Sequence, residues 1–277
     1  MYLTSEINLE KKLLELRNKF NLKGIKSEFE AEGSGYNDLA RLRNITSRNK
    51  VKVYVKIGGV EAINDIYQCI ELGVDGIIAP MVESKFGILK FKESIEKLKL
   101  RKNPHLSINI ETKDGVKNFD EILDEAKKFL DNITIGRSDL SRSYFNESLT
   151  QDSNFITKTI LNIAEKSKKK GLTTTVGGGV NFLTIKNFNK IKNIHIVSKI
   201  ETRKVMLPTN SFLNKKELVG NITLRVSILP TNSFLNKKDA LNTALSFEEL
   251  YILYKKEIND LMLSPELNRI TKLKTRK

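Results

Sequence analysis

Two acids stand where apolar strands should end. "INIETKDGVKNFDEIL" (108–123) breaks at Glu111, and "NITIGRSDLSRSY" (132–144) breaks at Asp139. A carboxylate in that position is costly to bury unless a cation, a hydrogen-bond network or a metal meets it. If the two strands are neighbours, one divalent ion can take both side chains, with waters and a bidentate substrate completing an octahedral shell. The same residues can also be read as caps of the helices that follow them. One cysteine, Cys69, and two histidines exclude zinc-finger ligand sets. Hard oxygen ligands are what this chain offers, and they suit Mg²⁺ or Mn²⁺.

Other polar residues cluster at strand ends. Lys56 closes "VKVYVKIGG"; it can contact an anion, form a Schiff base with a carbonyl substrate, or snorkel to solvent. Gly136, Arg137 and Ser138 form the turn before Asp139, where successive N–H groups can grip a carboxylate or phosphate. Arg137 either adds charge there or is a surface residue. Asn109 lies two residues before Glu111 and shares its face of the strand, so it either supports substrate or bonds inside the protein. Glu28, Glu30 and Glu32 alternate in "EFEAEG" and, on a strand, would face one way; Glu30 and Glu32 are candidate general bases. "APMVES" puts Pro80, Met81 and Glu83 at a rim, Glu83 as a substrate contact or a helix N-terminal acid. The three glycines of "TTTVGGGVN" cradle an anion or make room for a turn, without the Gly-Lys-Ser/Thr of a P-loop. Glu201 and Arg203 in "KIETRK" read most simply as an ion pair.

The elements that must carry these residues alternate. Strand candidates are "GIKSEFE", "VKVYVKIGG", "VDGIIAP", "LSINIE", "NITIG", "LTTTVGG" and "HIVSKIE", with amphipathic stretches such as "VEAINDIYQCIELG" and "FITKTILNIAEKSKKKG" between them. Helices that stop at Gly73 and Gly171 fit left-handed glycine caps. Strand–helix alternation along the chain implies a parallel sheet, open or closed. Polar residues at strand ends favour the closed form, an α/β (β/α)₈ barrel folding as one domain over 1–277. Seven strands are evident. The eighth is expected as a short amino-terminal piece or in "ITLRVSI" near residue 225. "LPTNSFLNKK" occurs at 207–216 and again at 229–238, which reads as a loop insertion or tandem duplication. A helix is expected over 240–263.

Composition narrows the setting. The net charge is +15 with pI near 9.6 and mean hydropathy −0.32. Lysines are scattered among acids, as in "FKESIEKLKLRK", and no aromatic-and-basic strand pattern appears, so the field suits a small anionic substrate more than specific nucleic acid. No apolar run reaches the roughly 18 residues of a membrane span. The amphipathic opening lacks a signal-peptide core and, with one cysteine, points to a cytoplasmic protein.

"INIETKDGVKNFDEIL" followed by "ITIGRSDLS" resembles the HpcH/HpaI aldolase and citrate lyase β-subunit family, whose pattern is "ET" at one strand end and "G-x-x-DLS" at the next. "LGVDGIIAPMVES" and "GIKSEFEAEG" resemble further segments of it, and the similarity spans roughly residues 20–205. The resemblance implies that Glu111 and Asp139 hold Mg²⁺ or Mn²⁺, which binds a pyruvate-like 2-oxo acid or an acyl-thioester. It places Lys56 where members carry an arginine; a lysine keeps the charge and loses the planar fork. It places Asn109 where the aldolase branch often has glutamine. Gly33 stands where that branch has a histidine after the acid matching Glu32. Homo-oligomers, trimeric or hexameric, with packed carboxyl-terminal helices are also implied. The expected activity is a metal-dependent carbon–carbon lyase. The missing histidine and the lysine leave a second expectation, a catalytically impaired barrel that binds or scaffolds.

Overall fold

The computed structural model describes residues 3–213 and 237–275. Eight strands close into a barrel in sequence order: β1 Gly24–Glu28, β2 Val53–Lys56, β3 Gly76–Ala79, β4 His105–Ile110, β5 Asn132–Gly136, β6 Thr173–Gly177, β7 Lys199–Thr202 and β8 Val205–Pro208. Around them run α1 Thr4–Phe20, α2 Tyr36–Arg48, α3 Ile63–Glu71, α4 Lys85–Glu96, α5 Lys113–Lys117, α6 Phe119–Ala126, α7 Arg137–Arg142, α8 Asn154–Lys169, α9 Phe182–Phe188 and α10 Lys237–Thr275. All seven strands read from the sequence are present. The amphipathic segments fold as helices with polar caps: Ser84, Thr112, Ser153 and Asn181 each accept a backbone N–H of the following turn. Gly73 and Gly171 end helices at φ 61° and 81°, as glycine caps do.

The eighth strand is a correction. It is neither an amino-terminal piece nor "ITLRVSI", which lies outside the described residues. β8 follows β7 after the two-residue turn Arg203–Lys204, with Arg203 left-handed at φ 64°. Thr202 pairs with Val205, and β8 runs antiparallel to both β7 and β1. The barrel is therefore seven parallel strands closed by one that returns from mouth to floor. Part of the first "LPTNSFLNKK" copy is not loop but the end of this strand. Leu207, Phe212 and Leu213 are buried, and a 3₁₀ turn spans Thr209–Ser211. Most of the second copy lies outside the described residues. The carboxyl-terminal helix is longer than expected, and α10 packs chiefly against α1.

Two apolar regions result. The large one fills the space between barrel and helices, with Leu9, Leu13, Ile66, Phe91, Ile122, Ile160 and Phe247 among its members. The small one is Tyr54, Ile78 and Met206, inside the barrel. Tyr54 is in register with Gly76, and Gly24 with Met206. A Cβ at Gly24 or Gly76 would overlap the Tyr54 ring, so these glycines make room for the plug. Above it, toward the strands' carboxyl ends, the interior turns polar and charged.

Candidate active site

A cavity of about 380 Å³ opens at the carboxyl ends of the strands, lined among others by Lys26, Glu28, Lys56, Asn109, Glu111, Gly136, Asp139 and Glu201. Glu111, one residue past β4, turns inward and is buried. Its Oε1 accepts the Met81 N–H at 3.1 Å and its Oε2 accepts Asn109 Nδ2 at 3.1 Å. Met81 donates from a left-handed backbone, φ 49°, a conformation that costs a non-glycine residue roughly 1–3 kcal/mol and is typical of functional sites. The cap of α5 is Thr112, whose Oγ1 accepts the Gly115 N–H, so Glu111 is not spent as a cap. Asp139 lies in the first turn of α7, half-buried, and α7 has no side-chain cap bond. Burial holds the Glu111 carboxyl above its usual range; the Lys56 ammonium opposes this and the Asp139 charge adds to it. Two carboxylates in mutual repulsion are a place where a cation is stabilised.

The residues present fit a hard divalent ion. Among the described residues no group of three or more His, Cys, Asp or Glu side chains forms a cage. The donor set is the pair Glu111 and Asp139, and Mg²⁺ is commonly held by one or two carboxylates with waters and substrate. Beside them, Asn109 Oδ1 is buried without a hydrogen-bond partner. Such an orphan in a cavity calls for a donor from ligand or water.

The barrel interior adds charges that sequence reading did not assign to the site. Lys26 Nζ lies 2.6 Å from Glu28 Oε1 and also pairs with Glu201; Lys56 Nζ lies 3.0 Å from Glu28 Oε2. Burial disfavours the Glu28 carboxylate, yet Lys26 and Lys56 outweigh it and hold the group down to about 2. Lys26 is likewise held above the ordinary lysine range: burial works against its charge, and Glu201 and Glu28 overcome it. A signal was available, since Lys26 and Glu28 sit two apart on one strand and so share a face. The expected Glu201–Arg203 pair does not form. Glu201 faces the interior while Arg203 is exposed in the turn, 3.7 Å from Glu32.

Of the residues expected at the site, Lys56, Asn109, Glu111, Gly136 and Asp139 line the cavity together. Glu30, Glu32, Pro80, Arg137 and Ser138 do not. β1 stops at Glu28, so Glu30 and Glu32 fall in a turn and lose the shared face that strand alternation would give them. Glu30 is exposed. Glu32 accepts from Lys204 at 2.5 Å and lines a separate cavity of about 210 Å³ with Tyr251 and Lys255. Pro80 precedes Met81 outside the lining. Arg137, fully buried, spends its guanidinium on the carbonyls of Gly177, Gly178 and Gln151, on Asp152 at 2.7 Å and on Thr184. Ser138 Oγ donates to Gln151 at 2.9 Å. The glycine run makes a turn: Gly178 and Gly179 have φ 83° and 58°, and a Cβ at Gly178 would sit 2.6 Å from Ser138 N.

Comparison with known proteins agrees with this frame. An HpcH/HpaI aldolase from Desulfitobacterium hafniense DCB-2 superposes with TM-score 0.52 at 13% identity, covering 67% of this chain and 78% of that one. An HpcH/HpaI aldolase/citrate lyase family protein from Burkholderia cenocepacia J2315 gives TM-score 0.52 at 13% identity, over 63% of this chain and 76% of that one. At such identity they show a shared fold. No curated protein sequence matches the chain. The family model for HpcH/HpaI aldolase/citrate lyase matches residues 39–183, more than half the sequence and including Lys56, Asn109, Glu111 and Asp139. The chain belongs to the HpcH/HpaI aldolase/citrate lyase family.

Proposed function

We propose that this protein is a divalent-metal-dependent carbon–carbon lyase acting on a 2-oxo acid or an acyl-thioester. The observation that carries the reading is the meeting of Glu111, Asp139 and Lys56 in one cavity at the mouth of the barrel. Glu111 and Asp139 would hold Mg²⁺ or Mn²⁺. When bound, such an ion supplies Lewis acidity toward a carboxylate and its neighbouring carbonyl, stabilising negative charge as it develops. Lys56 adds a cation on the same side of the cavity, kept in place by Glu28 at 3.0 Å. Asn109 orients Glu111 and offers its free Oδ1 to the ligand. Gly136 leaves the space the Glu111 carboxylate occupies.

The alternative of a barrel that binds without turnover draws on the lysine at position 56 and the missing histidine; the cavity geometry gives it no added support. No helix among the described residues is long and apolar enough to cross a membrane. A cytoplasmic homo-oligomer, trimeric or hexameric, working on a small anionic substrate rather than nucleic acid completes the proposal.

Titration with Mn²⁺ tests it, followed by assays of oxaloacetate decarboxylation and pyruvate aldol exchange. Wild type should bind one ion per chain and turn over at least one oxo acid, and Glu111→Ala should lose both. Metal binding with no turnover on any oxo acid or thioester would move the assignment to the binding protein. Trapping of a pyruvate adduct by borohydride would give Lys56 the Schiff-base role instead.

A further inference from the structure

The barrel has a second hollow, at the end opposite the candidate active site. A cavity of about 630 Å³ opens beneath the strand starts, lined among others by Lys52, Asp75, Lys102, His105 and Asp131, with Val74 and Leu100 as an apolar wall. Small-molecule pockets run from about 300 to 1,000 Å³, so the space suits a ligand. Along the chain entering β2 the order is Lys52, Tyr54, Lys56, and the Tyr54 plug stands between this floor and the mouth. Lys199 opens β7 and shares its inward face with Glu201. Its ammonium lies 6.0 Å from the centre of the Tyr54 ring, so the side chain crosses the floor from β7 toward β2, two strands lying between. His105 meets the same ring edge-on, with 5.4 Å between centres, and its Nδ1 is buried without a hydrogen-bond partner.

The acids of this cavity are already engaged. Asp75 Oδ2 takes Arg43 at 2.8 Å and the Val53 N–H at 2.9 Å, and Asp131 Oδ2 accepts the Leu106 N–H at 2.8 Å. Lys52, Lys102 and Lys199 form no ion pair among the described residues. Lys26 shows how the same interior treats a lysine kept for structure, by giving it two acids. Lys199 has none. Burial draws it down to about 8, against the pull of Glu201 and Asp131 and with the charges of Lys52 and Lys23 adding to the fall. Burial, with Lys199 next, also holds His105 below the ordinary histidine range. A half-buried cation without a partner is costly, and an anion from solution offsets that cost.

We propose that the floor of the barrel is a second binding site, for a phosphomonoester, with Lys52, Lys102, Lys199 and His105 on the phosphate and the Val74 and Leu100 wall on the organic part. A dianion fits better than a single carboxylate, because three lysines without ion-pair partners and an imidazole donor face one hollow in which only Asp131 lacks a cation of its own. Lysine binds phosphate as a point charge, which these side chains supply. Neither Lys56 nor the pair Glu111 and Asp139 takes part, so the site is independent of the lyase reading.

The test is calorimetric titration of the full chain with phenyl phosphate, inorganic phosphate and acetate, in wild type, Lys199→Met, His105→Phe and Lys56→Met. Wild type should bind phenyl phosphate with Kd of about 1 mM or tighter, about threefold or more tighter than inorganic phosphate and about tenfold or more tighter than acetate. His105→Phe keeps a ring against Tyr54 and removes only the donor. It and Lys199→Met should each weaken phenyl phosphate about fivefold or more, whereas Lys56→Met, at the mouth, should change it less than about twofold. A second readout needs no variant: acetic anhydride labelling of wild type, followed by peptide mass spectrometry. Phenyl phosphate should slow acetylation of Lys199 about fivefold or more, by covering the amine and favouring its charged form, and leave the exposed Lys186 unchanged. Four results would each overturn the site: no binding, affinity lost in Lys56→Met but kept in Lys199→Met, inorganic phosphate or acetate bound as tightly as phenyl phosphate, or Lys199 labelled equally fast with and without ligand. None of them bears on Mn²⁺ binding or turnover at the mouth, so the lyase reading stands or falls separately.

Discussion

Gly136 on β5 and Gly177 on β6 face each other in register, and each lies under a carboxylate, Glu111 on one side and Glu201 on the other. The mouth of the barrel is hollow there because two neighbouring strands end without side chains. The two positions differ in how tightly they are filled. An added Cβ at 136 would overlap Glu111 Oε2 and come within 2.8 Å of Glu111 Cβ, whereas at 177 its nearest neighbour is Glu201 Oε1 at 3.2 Å. Gly136→Ala is therefore expected to push the Glu111 carboxylate aside and weaken Mn²⁺ at least tenfold, about 1.4 kcal/mol. Gly177→Ala should change it less than threefold. Calorimetric titration of both variants checks the order, and equal effects would contradict it.

Lys26 is the shared cation of two buried acids. Removing one partner of a buried ion pair is costly because it strands the other, typically by about 3–5 kcal/mol. Lys26→Met should destabilise the protein by that order in urea unfolding at pH 7. Glu28 keeps Lys56 as a partner, so most of the penalty falls on Glu201. The double variant Lys26→Met/Glu201→Gln should consequently regain at least about 1 kcal/mol over the single one.

The acid limb of stability follows from the same network. Glu28 is held to about 2 in the folded protein against an ordinary glutamate value of 4.5. A folded value below the unfolded one means stability that is present above the unfolded value and lost as pH falls toward the folded one. The expected loss is about 3 kcal/mol between roughly pH 4.5 and pH 2. Glu28→Gln should flatten that limb in acid-dependent urea unfolding.

These residues show where sequence reading succeeds and where it stops. The ends of β4 and β5, just before Glu111 and Asp139, were legible because apolar β-branched runs broke off ahead of acids, and local pattern suffices for that. Seven strands were legible for the same reason. β8 was not, because it follows β7 through a two-residue Arg203–Lys204 turn with no helix between, against the alternation that organised the reading. The Lys26–Glu201 pair joins residues 175 apart in sequence, and only barrel closure brings them together. Glu30 and Glu32 misled because strand alternation was extended past Glu28, where the chain has already turned. Arg137 sat in a motif at a strand end, yet its neighbours Gly177, Gly178 and Asp152 come from later segments that the local sequence does not reveal.

Glu248 on α10 gives an opposite pH signature. Its burial pushes the carboxyl up to about 7, although the Lys204 backbone N–H at 3.2 Å, Thr202 and the nearby Lys204 and Arg203 charges pull the other way. A folded value above the unfolded one means that the contribution is intact at low pH and is lost as pH climbs from about 4.5 through 7. Allowing for its partial exposure, the loss is about 2 kcal/mol. Glu248→Gln should raise the urea midpoint at pH 8 and leave it within error at pH 4.5.

Arg137 is a positioning residue by its contacts. Its five hydrogen bonds tie the β5–α7 turn to the β6 glycine run, to Asp152 and to Thr184, with the guanidinium 5.5 Å from the Phe188 ring centre. Lysine carries the charge but cannot reproduce a planar fork that serves several acceptors at once. Arg137→Lys should therefore cost at least about 2 kcal/mol, from buried carbonyls left without donors. The loss should appear near the mouth before the rest of the barrel. Amide hydrogen exchange should quicken in 177–184 and 137–142 while β2 and β4 stay protected, and, on the lyase reading proposed above, KM for an oxo acid should rise as that wall of the cavity loosens. Uniform loss of protection across all eight strands would mean that Arg137 holds up the whole fold and not one side of the site.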